Sequence, residues 1–102
     1  MKRRFVLAPE AARDLVSIWR YLKRESGQET ADRAESVIRS KFPYLAQFPG
    51  AGHRRRDLTE AKVRFFSVYS CLVVYRPQSE PLEIVTILHA SRDAAEILKA
   101  RA

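Results

Sequence analysis

The chain has 102 residues, of which 46% are hydrophobic and 30% charged, enough for one domain with one core over residues 1–102 and too few for a multidomain machine. A formal net charge of +7 and a pI near 10.1 point to an anionic partner, whether nucleic acid, acidic protein or anionic lipid. Cys71 is the only cysteine, which excludes an internal disulfide and a multi-cysteine metal site and fits a reducing compartment.

In chain order, Arg3 to Ala8 is short and β-biased and predicts a strand at the edge or centre of a sheet. Its apolar part, Phe5 to Ala8, is too short for a signal peptide, and no segment approaches membrane-spanning length, so a cytoplasmic protein is expected. Pro9 suits the first position of a helix, where a missing N–H costs nothing. Ala12, Leu15, Ile18, Trp19 and Leu22 then recur at helical spacing up to Gly27, with Trp19 read as core within that stripe rather than as a partner anchor.

A second helix is predicted after Gly27, with Ala31, Ala34, Ile38, Leu45 and Phe48 on one face. Pro43 lies inside it and predicts a kink or break near Lys41 to Phe42. The very short connection makes the two helices an antiparallel hairpin, which Pro49 and the glycines at 50 and 52 end.

Val63 to Asp93 organises the rest: VRFFSV, a turn at Tyr69-Ser70, CLVVYR, a turn in PQSEP, then LEIVTILHASRD. These are three consecutive antiparallel strands on which the hairpin can lie. Alternation puts Ile84, Thr86 and Leu88 on one face of the last strand and Val85, Ile87 and His89 on the other; both sets are mostly apolar, so that strand is expected to be central. Cys71, inside an apolar strand, is read as a buried, inert thiol. Ala94, Ile97, Leu98 and Arg101 predict a short C-terminal helix after a Ser91 N-cap.

The densest positive charge is His53-Arg54-Arg55-Arg56, followed by Asp57 and joined by Lys62 and Arg64. It suits phosphates, whose neutralisation releases counterions. It equally suits a solvated loop or an acidic partner. A phosphate-binding loop, metal-spaced histidines and a nucleophile elbow are all absent, so no metal or cofactor is expected. What remains is metal-free RNA cleavage, for which Arg64, Arg76, His89 and Arg92 are suitable types. Against it stands a structural reading, with Arg64 and Arg92 in ion pairs to Asp57 or Asp93 and His89 at a strand end.

The order strand, helix, helix, three-strand meander resembles the RelE/ParE toxin superfamily, and the ParE-like branch in particular. The matching pieces are Pro9-Glu-Ala-Ala-Arg-Asp14-Leu15 through Ile18 and Tyr21, Leu45-x-x-x-Pro49-x-x-Gly52, Val63-Arg64, Leu72-Val-Val-Tyr75-Arg76, and Ile87-Leu-His89-x-x-Arg92-Asp93. The resemblance implies an α+β fold, β-α-α-β-β-β with a short C-terminal helix, the hairpin packed on a four-stranded, mainly antiparallel sheet. It implies the toxin of a type II toxin-antitoxin system that inhibits DNA gyrase by binding, without catalysis and without cofactor, and that forms a hetero-oligomer with an acidic antitoxin. Arg54, Arg55, Arg56, Arg64, Arg76, His89 and Arg92 are the candidate target- or antitoxin-binding residues. The RelE-like alternative is a ribosome-dependent mRNA endonuclease using Arg64, His89 and Arg92. The segment that follows Arg92-Asp93, AAEILKARA, has neither the Tyr nor the second His common in that branch.

Overall fold

A computed structural model describes residues 4–89 and 94–101. Its element order is β1 (Phe5–Leu7), α1 (Pro9–Ser26), α2 (Gln28–Gln47), a 3-10 turn at Pro49–Ala51, β2 (Arg64–Val68), β3 (Cys71–Arg76), β4 (Leu82–His89) and α3 (Ala94–Arg101). The strands lie in the order β1-β4-β3-β2, with β1 parallel to β4 and the other two pairs antiparallel. Thus β1 is an edge and the doubly apolar β4 is internal.

Pro9 opens α1 without losing a hydrogen bond, and Gly27 alone joins α1 to α2. Gly27 has φ 92°, a region that a side chain disfavours; its N–H donates to the Lys23 carbonyl and its own carbonyl accepts from Ala31. One residue therefore closes one helix and starts the next. The buried stripe of α1 is Ala11, Leu15 and Ile18; Ala12 points to solvent and Leu22 is half-buried. Trp19 is half-buried too, and its Nε1 donates to Asp32 Oδ1 at 2.7 Å, so it ties the two helices together at their seam instead of entering the core.

The helix α2 runs unbroken through Pro43, contrary to the expected break. Pro43 faces solvent, where water can satisfy the carbonyl it leaves without a donor. Its neighbours Phe42 and Leu45 are buried, and Phe42 packs its ring 5.5 Å from Phe5. Burying these two side chains, at roughly 1.5–3 kcal/mol each, offsets a proline penalty of about 3 kcal/mol. Phe48, expected on the core face, is 50% exposed just past the helix end.

The sheet has an apolar cluster on each face. Ile18, Ile38, Phe42, Leu45, Val73, Tyr75, Ile84 and Ile87 form the core beneath the hairpin. Val63, Phe65, Val74 and Leu88 form a second cluster that Leu98 of α3 covers. Strict alternation along β4 fails, because the register slips: Tyr75 pairs with Ile84 but Val74 with Thr86. This bulge at Val85 lets Ile84 and Ile87 share the hairpin side while Leu88 turns to α3. The expected Ser91 cap lies outside the described residues.

Past Ile84 the strand β1 no longer borders β4. Asp14 of α1 takes its place, accepting from Thr86 Oγ1 at 2.6 Å and from the Ile87 N–H at 3.0 Å. A carboxylate is thereby fixed at a sheet edge as a substitute for a missing strand.

Candidate functional site

Two ends of the sheet carry the residues singled out by sequence. At the first, the 3-10 turn Pro49–Ala51 brings the chain back along the outer edge of β2, where the His53 and Phe65 backbones exchange hydrogen bonds of 2.9 and 2.8 Å. Tyr75 rises from β3 beneath this turn. Its hydroxyl donates to the Pro49 carbonyl at 2.7 Å and accepts from the Gly52 N–H at 2.8 Å, and Arg64 Nη1 donates to the Gly52 carbonyl at 2.8 Å. A Cβ on Gly52 would stand 2.7 Å from the Tyr75 hydroxyl and 2.8 Å from the Phe65 carbonyl oxygen, so only glycine fits. Burial pushes the Tyr75 phenol above its ordinary pKa, with the Gly52 hydrogen bond and the Arg64 charge acting in the opposite direction.

Outside this knot is an open cleft of about 320 Å³, lined by Arg54, Lys62 and Arg64 with Pro49, Gly50 and Pro77. Arg55 leans away onto Asp57, with Nε–Oδ1 at 2.9 Å and Nη2–Oδ2 at 2.8 Å. That bidentate bond holds the Asp57 carboxyl below and the Arg55 guanidinium above their usual values. Asp57 is thus the partner of Arg55 and not, as expected, of Arg64. Arg56 is exposed, and Arg76 is bound to Glu83 across β3 and β4 at 2.8 Å.

At the second end, His89 is half-buried with its ring centroid 5.1 Å from that of Tyr21. It borders a recess of about 180 Å³ shared with Arg13, Asp14, Ser17, Ile87 and Ile97. Arg92 lies outside the described residues. Among the described residues no group of three or more His, Cys, Asp or Glu side chains is arranged to hold a metal ion. Burial pushes the Cys71 thiol up, as suits the inert role expected of it.

The register sets the distance between the ends. Arg64 is level with Tyr75 and His89 with Cys71, and β2 and β4 flank β3. At about 3.3 Å per residue along the strand and 4.8 Å between strands, their Cα atoms are roughly 16 Å apart. Arg64 moreover turns outward to Gly52, beyond the β2 edge. The structure gathers Arg54 and Arg64, with Lys62, and leaves Arg55, Arg76 and His89 elsewhere. Tyr75, the hub of the knot, figures in the sequence only within the Leu72-Val-Val-Tyr75-Arg76 piece, with no function attached to it; the spacing of Pro49 and Gly52 was the available signal. The aromatic rim was also missed: Tyr44, 43% exposed, lies 5.3 Å from Phe48 and 5.8 Å from Phe66, ring centre to ring centre.

Comparison with known proteins identifies a family and a fold. The model of the ParE toxin of the type II toxin-antitoxin system, parDE, matches residues 5–94. A search of curated proteins finds no match. Among solved structures, a chain of the chromosomal ParDE TA system from P. aeruginosa superposes with a TM-score of 0.72 at 22% identity, covering 86% of this chain and 96% of that one. At that identity the likeness shows the fold alone. No described helix is long and apolar enough to cross a membrane.

Proposed function

Because the chain belongs to the ParE toxin family of type II toxin-antitoxin systems, we propose that it inhibits DNA gyrase by docking, without breaking a bond of its own, until an acidic antitoxin removes it. The observation that carries this reading is the separation of Arg64 from His89, the guanidinium and imidazole that the endonuclease alternative would bring to one linkage. General acid-base cleavage of RNA needs proton-transfer and phosphate-binding groups on one scissile linkage, within hydrogen-bond reach. Arg64 and His89 are held too far apart for that, one by Gly52 and the other against Tyr21. Docking needs no such convergence, only a rigid and charged surface.

The antitoxin is a second element of the proposal. An apolar recess of about 260 Å³, bounded by Leu22, Ala34, Ile38, Tyr69 and Cys71, with Arg33 at its side, lies where the hairpin meets the β2–β3 turn. An amphipathic acidic segment could set an apolar anchor there and place carboxylates on the surrounding charge, and the surface it covers offsets the entropy of ordering it. Such a complex places the toxin in a cytoplasmic hetero-oligomer.

Supercoiling by purified gyrase tests the target. Inhibition that rises with toxin and is reversed by the cognate antitoxin is expected. Full supercoiling at excess toxin, with message cleavage on translating ribosomes, would replace this reading with the endonuclease one.

A further inference from the structure

We infer that the cleft between the Pro49–Ala51 turn and the β3–β4 turn is a binding site for the phosphodiester backbone of single-stranded DNA, with Phe48 and Tyr44 as the platform on which its bases stack. The inference rests on the gyrase reading for its choice of DNA, and on the cleft itself for everything else. Arg54, Lys62 and Arg64 line one opening of about 320 Å³ that contains no carboxylate. Among the described residues no ion pair involves any of the three, whereas Arg55 and Arg76 are each bound to an acid. Three like charges held together without a counter-charge repel one another and favour an anion. Two of them are free to adapt, and the third is fixed by its bond to the Gly52 carbonyl.

The surroundings favour a nucleic acid over an acidic protein segment. A protein helix needs a recess for an apolar anchor, but this cleft has proline and glycine walls. The apolar recess bounded by Ala34 and Ile38 lies at the other half of α2, about 20 Å along the helix from Phe48. What adjoins the cleft instead is an exposed aromatic pair: Phe48 directly precedes Pro49 and is half exposed, with the Tyr44 ring tilted 48° against it. Cations beside open aromatic faces are the composition of a single-strand surface, where the charges track phosphates and the rings accept any base.

Titration of the full chain with fluorescent oligo(dT), followed by anisotropy at several salt concentrations, tests the assignment. Three phosphate contacts predict a slope of log K against log salt near −2. The double substitution Arg54→Ala, Lys62→Ala should bring it to about −0.7, while Arg55→Ala leaves it in place because that charge is already matched. Phe48→Ala should weaken binding about tenfold with the slope unchanged. Arg64 is left intact because it also holds Gly52, and circular dichroism checks that each variant is folded. An unaltered slope in the double variant overturns the site. So does a polyglutamate peptide that binds as tightly as oligo(dT), which would make the cleft an acidic-protein surface, or an oligo(rU) preferred over it. Gyrase is absent from the titration, so the two readings fail separately: a chain that stops supercoiling but ignores oligo(dT) refutes the cleft alone, and one that binds the strand but spares gyrase refutes the docking target alone.

Discussion

The two ends of the sheet are built on opposite plans. At the Arg64 end, a buried tyrosine, a glycine, a turn carbonyl and a guanidinium satisfy one another through three hydrogen bonds of 2.7–2.8 Å. At the His89 end, an imidazole lies against a partly exposed tyrosine ring beside a shallow recess. The first is a cross-link among elements distant in sequence, and the second a surface feature. Their difference teaches that residue type alone gives half of a role: Arg64, a phosphate-binding candidate by type, is also a bolt. Its cationic face toward the cleft is a consequence of how the bolt is set.

The sharpest way to break this contrast is Gly52→Ala. The new methyl group cannot avoid both the Tyr75 hydroxyl and the Phe65 backbone, so the turn must move and the hydrogen bonds around it part. A loss of about 3 kcal/mol or more is expected, from overpacking combined with stranded polar groups. Thermal or urea unfolding reads it directly, and a loss under about 1 kcal/mol would show the knot to be dispensable.

Next in size is Tyr75→Phe, which keeps the ring but strands the Gly52 N–H and the Pro49 carbonyl, for about 1–3 kcal/mol. This variant also has a signature in pH. Since the folded-state phenol titrates above its ordinary value, the contribution of Tyr75 is complete below about pH 10 and is lost as the pH rises through the folded value. The parent should therefore weaken in alkali more steeply than Tyr75→Phe. Parallel stability profiles for the two would contradict the burial of that hydroxyl.

Much of the fold was legible because its signals are local. Pro9 and Gly27 mark helix ends by their own dihedral preferences, and the apolar runs of β2 to β4 are long enough to be read as strands. The failures came where a tertiary contact decided. Pro43 breaks a helix in isolation, but burial of Phe42 and Leu45 holds this one together. The bulge at Val85 exchanges faces without any Gly or Pro to announce it. The candidate site was legible as charge but not as geometry. Nothing near Arg55 in the sequence separates it from Arg54, yet the two-residue reach to Asp57 neutralises one and leaves the other in the cleft. Likewise Pro49 and Gly52 were noted as a spacing, while the tyrosine that explains the spacing comes from a strand 23 residues beyond Gly52.

The smallest effect belongs to the other end. His89→Ala removes, among the contacts of that side chain, a tilted aromatic one with Tyr21 worth about 0.5–1.5 kcal/mol, and a shift in unfolding of that order is expected. In a docking toxin no proton passes through this imidazole, and gyrase inhibition by His89→Ala should match the parent once the folded fractions are equalised. A nuclease using the same side chain as acid or base would lose about 100-fold or more of its rate. A large loss of toxicity in a variant that is still folded would thus give the His89 end a chemical role that docking does not require, and would require Arg64 to leave Gly52 for the two ends to meet. Retained toxicity would place the toxin's working surface with its free cations, on the side of the sheet that is cross-linked to present them.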